Sequence, residues 1–337
     1  FTDDNNYCQN QRTLKSQDNN LRRQLDADNP LPDAANNRKI VSIELEQLNV
    51  FNTELEEENN FLFRFANRAH MTTEPEVIHS VLLFEEGDVY NPRKLLESER
   101  LLRKQGYLYD ARINAKLDCD GNVHVKVITR DLWTLLPEIS FSRSGGKNES
   151  SIGFRESNFL GWGKRVSFSR TRDADRTGYL FVYDDPHIFS SRYQGRLEYS
   201  DNDDGKRHYL DVSYPFFSID TPYSYGVTSY SDQRRESLYY RGDIVSEFEQ
   251  KTLLNRAYFG HSSQLGNSWT QRIKLGIENR EETFKETPFT RFPIAEDRTL
   301  SYPYVSGQWF EDHYVKVRNF DSIYRTEDLN LGWNIHA

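Results

Sequence analysis

The sequence predicts two parts: an α+β domain with the element order β-α-α-β-β, and after it a long antiparallel β-structure. Helix start and stop signals occur only before about residue 131. After Trp133, polar and apolar residues alternate in one segment after another, which is typical of strands that have one polar and one apolar face. Residues 1–37 are rich in Asn, Asp, Gln and Arg and are expected to be a flexible tail or linker. The predicted domains are therefore 38–131 and 132–337.

The helices of the first domain are predicted from their end signals. A strand over 40–48 comes first, followed by a long connection that includes the aromatic cluster 61–65. Thr73-Glu74-Pro75-Glu76 is a capping box with proline just inside the first helix. Asn91-Pro92 begins the second helix, and Gly106 takes the usual glycine position after its end.

The last two strands of this domain are predicted to form a hairpin across Asp120-Gly121-Asn122. If the first and third strands are parallel neighbours, the second strand, over about 107–117, is a sheet edge. An exposed edge can accept an extended peptide as an additional strand. An edge blunted by Arg112 and Lys116 is an equally open alternative. The residues expected to take part in such pairing are Tyr107, Ala111, Ile113 and Ala115.

The alternating segments fit two environments. A soluble β-sandwich hides the apolar faces in a core, whereas an outer-membrane barrel turns them towards lipid and keeps a polar interior. The segments are near or above the roughly 9–11 residues that cross a bilayer, and aromatic residues recur near their ends, so the pattern favours the barrel. The residues predicted to line the interior are Arg192, Arg196, Glu198, Arg241, Arg272 and Lys274. Their expected role is to balance one another's charge across neighbouring strands.

Composition excludes several classes of protein. The 337 residues are 36% hydrophobic and 28% charged, with a net charge of -9, and the sequence contains no run of about 18 apolar residues. The acidic balance argues against nucleic-acid binding. Catalytic and metal-binding motifs are missing, so we expect neither an enzyme nor a cofactor or metal. A bridge between the only two cysteines, Cys8 and Cys119, is disfavoured.

Three short motifs resemble those of the POTRA–barrel superfamily of outer-membrane assembly factors, the BamA/TamA type. Residues 86–92 (EGDVYNP) resemble the link between the family's two helices, and 102–107 (LRKQGY) resemble the entry to its second strand. Residues 156–166 (ESNFLGWGKRV) are similar to the turn after its second barrel strand. The structural motif residues are Gly87, Asp88, Tyr90, Asn91, Gly106, Asn158, Phe159, Leu160, Gly161 and Gly163.

The resemblance implies a POTRA domain followed by a transmembrane β-barrel. It implies a non-enzymatic role in assembling or inserting proteins at the outer membrane of a Gram-negative bacterium, with the POTRA domain in the periplasm. The partners would be unfolded outer-membrane or secreted clients, outer-membrane lipids, and periplasmic chaperones or lipoproteins. The alternatives are a two-partner-type secretion pore and a soluble β-sandwich binding module.

The resemblance also implies a seam at the first barrel strand, and a shortened barrel. The seam residues are Leu135, Leu136, Glu138, Ile139 and Phe141. A sixteen-strand barrel needs roughly 350 residues, which is more than follow Trp133. We therefore expect roughly 11–12 strands, without the C-terminal part of the barrel. The family's late-loop Arg-Gly motif is not found, because Tyr240-Arg241-Gly242-Asp243 lies within an alternating segment and comes too early.

Overall fold

A computed structural model gives the fold of most of the chain. The chain forms two compact units. Of the described residues, the first unit comprises those before Leu135 together with the short segments 160–163 and 316–329, and the second comprises the rest. The described residues are 31–32, 35–144, 147–172, 176–266, 268–321 and 325–337. Most of the predicted tail lies outside them.

The first unit is built on a three-stranded sheet with the order β1-β3-β2. β1 pairs in parallel with β3, and β2 pairs with β3 in an antiparallel hairpin, so β2 is at the edge as predicted. A second hairpin, β14–β15, belongs mainly to this unit although it follows much later in the chain. The elements are β1 Ile40–Leu48, α1 Phe61–Ala69, α2 Pro75–Val81, α3 Pro92–Arg103, β2 Leu108–Leu117, β3 Val123–Asp131, β14 Tyr314–Arg318 and β15 Thr326–Asn330.

Three local predictions for this unit are wrong. The aromatic cluster 61–65 is not a connection but lies in helix α1, where Asn60 caps the N-terminus and Phe63 stacks on Phe51. Thr73 does not cap α2, because Glu74 holds the N-cap position and the Thr73 hydroxyl donates to Asp131. Gly106 is not in the left-handed conformation of a helix-ending glycine.

The core of the first unit lies between helices α2 and α3 and the sheet. Apolar side chains at alternate positions of β3 point to the helices. Leu95 and Leu102 lie two turns apart on the same face of α3 and belong to the same core. Burying such a side chain contributes roughly 1.5–3 kcal/mol, so this small unit has its own stable core. The largest fully buried apolar residues are Ile40, Ile78, Val81, Leu95, Leu102, Leu108, Val123, Val125, Val127 and Ile128.

The second unit is one antiparallel sheet of eleven strands, in the order β16-β13-β12-β11-β10-β9-β8-β7-β6-β5-β4. The count agrees with the prediction of 11–12 strands. β4 and β16 end the order, and within the described residues they do not pair with each other. The strands are β4 Leu135–Ser144, β5 Lys147–Glu156, β6 Arg165–Arg172, β7 Thr177–Asp185, β8 Gln194–Asn202, β9 Gly205–Tyr214, β10 Tyr223–Tyr240, β11 Asp243–Leu265, β12 Trp269–Glu286, β13 Arg298–Glu311 and β16 Asn334–His336.

One face of this sheet, the apolar face, is exposed. Register places Val227, Ala257, Ile277 and Pro303 in one row across four strands, and Ile277 is 65% exposed. Ile139 on β4 is 78% exposed. A soluble sandwich would bury these side chains against a second sheet. In the described parts of the chain no second sheet covers them, so the observed sheet differs from the sandwich alternative.

Two further findings concern the whole chain. Cys119 is disulfide-bonded, so the prediction that disfavoured a bridge is wrong, and Cys8 lies outside the described residues. Within the described residues, no helix has the length and apolar character that crossing a membrane requires.

Candidate functional site

The first candidate site is the outer edge of β2. The structure places Ala111, Ile113 and Ala115 on this strand, with Ala111 and Ile113 almost fully buried. Tyr107 is not on the edge: it precedes β2, its ring is buried, and its carbonyl accepts a hydrogen bond from Leu132. The prediction that Tyr107 pairs with a client at the edge is therefore wrong.

Side chains already occupy the backbone groups of this edge. The amide of Ile113 donates to Glu99 at 2.8 Å, and the carbonyl of Ala111 accepts from Arg103 at 3.1 Å. The amide of Ala111 donates to the carboxylate of Asp110 at 2.8 Å. Since an unpaired edge would leave these groups to an incoming strand, the first half of β2 is closed to backbone pairing in this conformation.

Glu99 and Arg103 form a buried ion pair on helix α3, with Nη1 of Arg103 at 2.6 Å from Oε1 of Glu99. Burial raises the pKa of Glu99, but the charges of Arg103 and Lys316 outweigh burial and hold that pKa below its usual value. Burial raises the pKa of Asp110 above its usual value, against the hydrogen bond from Thr326. Two buried acids beside the edge thus have cations and a hydroxyl donor as hydrogen-bond partners.

The resemblance motif at 158–163 places a tight turn in the first unit. Gly161 and Gly163 have φ values of +78° and +64°, which favour glycine. The carbonyl of Gly161 accepts from the amide of Glu74 at 2.8 Å, at the start of α2. A Cβ at Gly163 would lie 2.9 Å from both Val77 and Tyr107. Only glycine, which has no Cβ, allows the backbone of the turn to lie this close to Val77 and Tyr107.

The other motif residues of this turn hold its shape. Leu160 takes a left-handed φ of 55°, the amide of Phe159 donates to the carbonyl of Lys164, and Asn158 is buried. This motif therefore has a structural role: it forms a tight turn. The sequence pattern gave the position of the motif but not this role.

The motif at 86–92 turns the chain into helix α3. Gly87 has a φ of +93°, and the carbonyl of Asp88 accepts from Ile40 at 2.9 Å. Tyr90 is buried in the core, and the side chain of Asn91 caps α3 by accepting from Arg93. These contacts link the helix to the first strand.

The second candidate site is β4, the strand at one end of the large sheet. All five predicted seam residues lie on it. Ile139 and Phe141 are 78% and 72% exposed, while Glu138 forms an ion pair with Arg155 on the neighbouring strand. One side of β4 pairs with β5, and its other side has no strand partner among the described residues.

The face opposite the apolar one, here called the charged face, carries ion pairs in which the acid is buried and the arginine is partly exposed. Glu278 accepts from Arg256 at 2.8 Å and from the hydroxyl of Tyr302 at 2.6 Å. Glu282 is only 2% exposed and pairs with both Arg280 and Arg298. The two buried carboxylates are therefore compensated by arginines on their own and on neighbouring strands, as a buried charge requires.

The predicted interior residues lie in different places in the structure. Arg196 and Glu198 lie on the charged face of β8 and pair with each other. Arg241 lies instead in the turn between β10 and β11, with a φ of 52°, so the prediction that it lies within a strand is wrong. Arg192 precedes β8 and lies 4.6 Å from the ring centre of Phe217.

Arg272 and Lys274 lie on the charged face but are covered by the segment that joins β9 to β10. Nη2 of Arg272 donates to the carbonyl of Ser218 at 2.8 Å, and its guanidinium lies 4.8 Å from the ring of Phe216. The ammonium of Lys274 lies 5.7 Å from the same ring. Cation–π contacts of this kind hold segment 215–222 against the sheet. The sequence located the cations but not this covering segment.

The structure offers no candidate metal centre within the described residues, where no three potential ligands cluster.

Comparison with known proteins supports the first unit. Residues 64–130 match the POTRA family model, described as surface antigen variable number repeat. No curated protein matches the chain. Among solved structures, CdiB from Acinetobacter baumannii is 13% identical with a TM-score of 0.43, covering 89% of this chain and 52% of CdiB. BamA from Haemophilus ducreyi lacking POTRA domains 1-3 is 12% identical with a TM-score of 0.35, covering 84% of this chain and 68% of that one.

The POTRA match and the element order agree. The predicted fold class is confirmed: an α+β POTRA domain is followed by a large antiparallel sheet, which is not closed in the described part of the chain. The chain spans about half the length of CdiB.

Proposed function

We propose that this chain is an assembly or insertion factor for outer-membrane proteins in a Gram-negative bacterium, with its POTRA domain in the periplasm. The observation that carries the proposal is a POTRA domain joined to a sheet with an exposed apolar face and a charged opposite face. Lipid is the environment in which an apolar exterior of this extent is stable. The partners are unfolded clients and outer-membrane lipids, and periplasmic chaperones or lipoproteins deliver the clients.

The proposed mechanism uses strand pairing and no bond chemistry. In lipid, each unpaired backbone group costs several kcal/mol, so an open strand edge favours pairing with a client strand. Among the described residues β4 is such an edge, and its exposed Ile139 and Phe141 match the alternation of a membrane-facing strand. The POTRA domain would hold the client until it pairs.

Photo-crosslinking in cells tests this seam. A photoreactive residue at Ile139, on the end strand, is expected to trap client chains. The matched control is Ile152, which lies directly opposite on β5 and has strand partners on both sides. Both positions face the same environment, so equal trapping at the two, or none at Ile139, contradicts the insertion mechanism.

The second candidate function is a two-partner-type secretion pore. The charged face favours it, because paired arginines and glutamates such as Arg256 and Glu278 make a wall that a hydrated polypeptide can pass. A pore predicts steady conductance in planar bilayers and loss of one secreted protein on deletion. An insertion factor predicts a broad loss of outer-membrane proteins instead.

A further inference from the structure

The cleft between helix α3 and the edge of β2 already contains an extended segment of this chain. Strand β15 places Thr326 and Asp328 on the same side of the strand, two positions apart. Both side chains contact the POTRA domain, more than 200 residues away in sequence. Thr326 is 8% exposed, so the segment is seated in the cleft and not merely adjacent to it.

Arg103 holds the carboxylate of this segment in a two-pronged contact. Nε and Nη2 of Arg103 each donate to one oxygen of Asp328 at 2.7 Å. The remaining Nη1 donates to Glu99 and to the Ala111 carbonyl. A fork of parallel hydrogen bonds is specific for a planar carboxylate, and it keeps a buried guanidinium satisfied.

Two other contacts hold the same segment, and a third holds the neighbouring strand β14 of the hairpin. The hydroxyl of Thr326 donates to Asp110 at 2.9 Å, and Nη2 of Arg325 donates to the carbonyl of Arg103 at 2.7 Å. On β14, Nζ of Lys316 lies 2.5 Å from Glu99. The cleft therefore recognises a hydroxyl and a carboxylate on an extended backbone through buried partners.

We infer that the α3–β2 cleft is a recognition site for an extended acidic segment with a hydroxyl residue two positions before a carboxylate, and that β15 occupies it as a resident ligand. This inference rests on the proposed function, because it identifies the class of client segment that the POTRA domain takes. An incoming segment exchanges its own carboxylate for Asp328 on Arg103. Backbone pairing at Ala111 and Ile113 would instead require Glu99 and Arg103 to give up their bonds.

The test uses the full chain with the double substitution Thr326→Ala and Asp328→Ala, which removes the resident contacts. The probe is a labelled peptide with the sequence of residues 325–331 (RTEDLNL), and the matched probe has asparagine in place of the aspartate. The double variant is expected to bind the first peptide about tenfold more tightly than the second, and about tenfold more tightly than the unaltered chain does. The control variant Asp321→Asn, exposed in the same hairpin, is expected to bind like the unaltered chain.

Equal binding of the two peptides by the double variant overturns the inference, and so does equal binding of the first peptide by the variant and the unaltered chain. If the double variant misfolds, hydrogen exchange on the unaltered chain decides. Excess first peptide is then expected to speed exchange of the amides in 325–330, and no change contradicts the inference. Selective peptide binding without client trapping at Ile139 supports this site and contradicts the insertion proposal. Client trapping at Ile139 without selective peptide binding supports the insertion proposal and contradicts this site.

Discussion

Alanine substitutions at three glycines distinguish the stability cost of a left-handed backbone from the stability cost of a steric contact. Gly106 has ordinary φ and open space, Gly87 has a φ of +93° and open space, and Gly161 has a φ of +78° with Thr72 O 2.5 Å from where a Cβ would lie. Substitution to alanine is expected to change the stability of the first unit by about 0.5 kcal/mol or less at Gly106. At Gly87 the expected loss is about 1–2 kcal/mol, and at Gly161 the steric overlap adds about 1–3 kcal/mol.

Urea unfolding followed by helical circular dichroism measures these three losses, because all described α-helices belong to the first unit. An equal loss at Gly87 and Gly161 would show that the contact with Thr72 does not matter.

Asp118 predicts an acid dependence of stability. Hydrogen bonds from the amide and side chain of Asn122, the amide of Asp120 and the ring of His124 lower the pKa of Asp118 to about 2, from 3.8. A carboxyl pKa that is lower in the folded state contributes stability above pH 3.8, and this contribution is lost as the pH falls through about 2. The stability difference between the unaltered chain and Asp118→Ala is thus expected to shrink over that window.

Thermal unfolding at a series of pH values measures that difference. The matched control is Asp120→Ala in the same turn, whose side chain accepts none of these bonds. A difference for Asp118→Ala that stays constant down to pH 2 would contradict the assignment.

At the scale of elements, strand β12 has an apolar stretch and a polar stretch on one face. Leu275 and Ile277 are exposed, and the next residues on that face are Asn279, Glu281 and Thr283. If the apolar stretch faces lipid, Ile277→Arg is expected to cost about 2–4 kcal/mol, whereas Thr283→Arg on the same face costs about 0–1 kcal/mol. Folding yield in lipid vesicles, read as protease-resistant chain, measures this difference. Equal yields would argue against a membrane-facing surface.

The elements also show which sequence signals were sufficient. Asn91-Pro92 predicted helix α3, and Asp120-Gly121-Asn122 predicted the β2–β3 hairpin, since both are local signals. Helix α1 was not predicted, because Phe61, Phe63 and Phe65 stand at alternate positions and not at helical spacing. The helix also buries none of its residues. Arg241 was misplaced because a turn that needs left-handed residues interrupts an otherwise continuous alternation.

For the whole molecule, the bonded Cys119 predicts an oxidising location. Disulfides persist in the periplasm and are rare in the cytoplasm. Chain isolated from its native cells is therefore expected not to react with a maleimide polymer after denaturation, and to react fully after reduction. The Cys119→Ser variant, which keeps one cysteine, is expected to react without reduction. Full reactivity of the unaltered chain before reduction would contradict a periplasmic first domain.

The sequence alone determined the helix α3 start, the β2–β3 hairpin and the alternating strands, because caps, turn residues and two-residue periodicity act over a few neighbouring residues, and its motifs gave the resemblance to a POTRA domain. The edge position of β2 followed from the sequence only on the condition that β1 and β3 are parallel neighbours, and the structure supplied that pairing. Only the tertiary structure decided that this edge is occupied. The contact of Arg103 with Asp328 joins residues 225 positions apart, and no local pattern specifies which distant carboxylate a buried guanidinium will find.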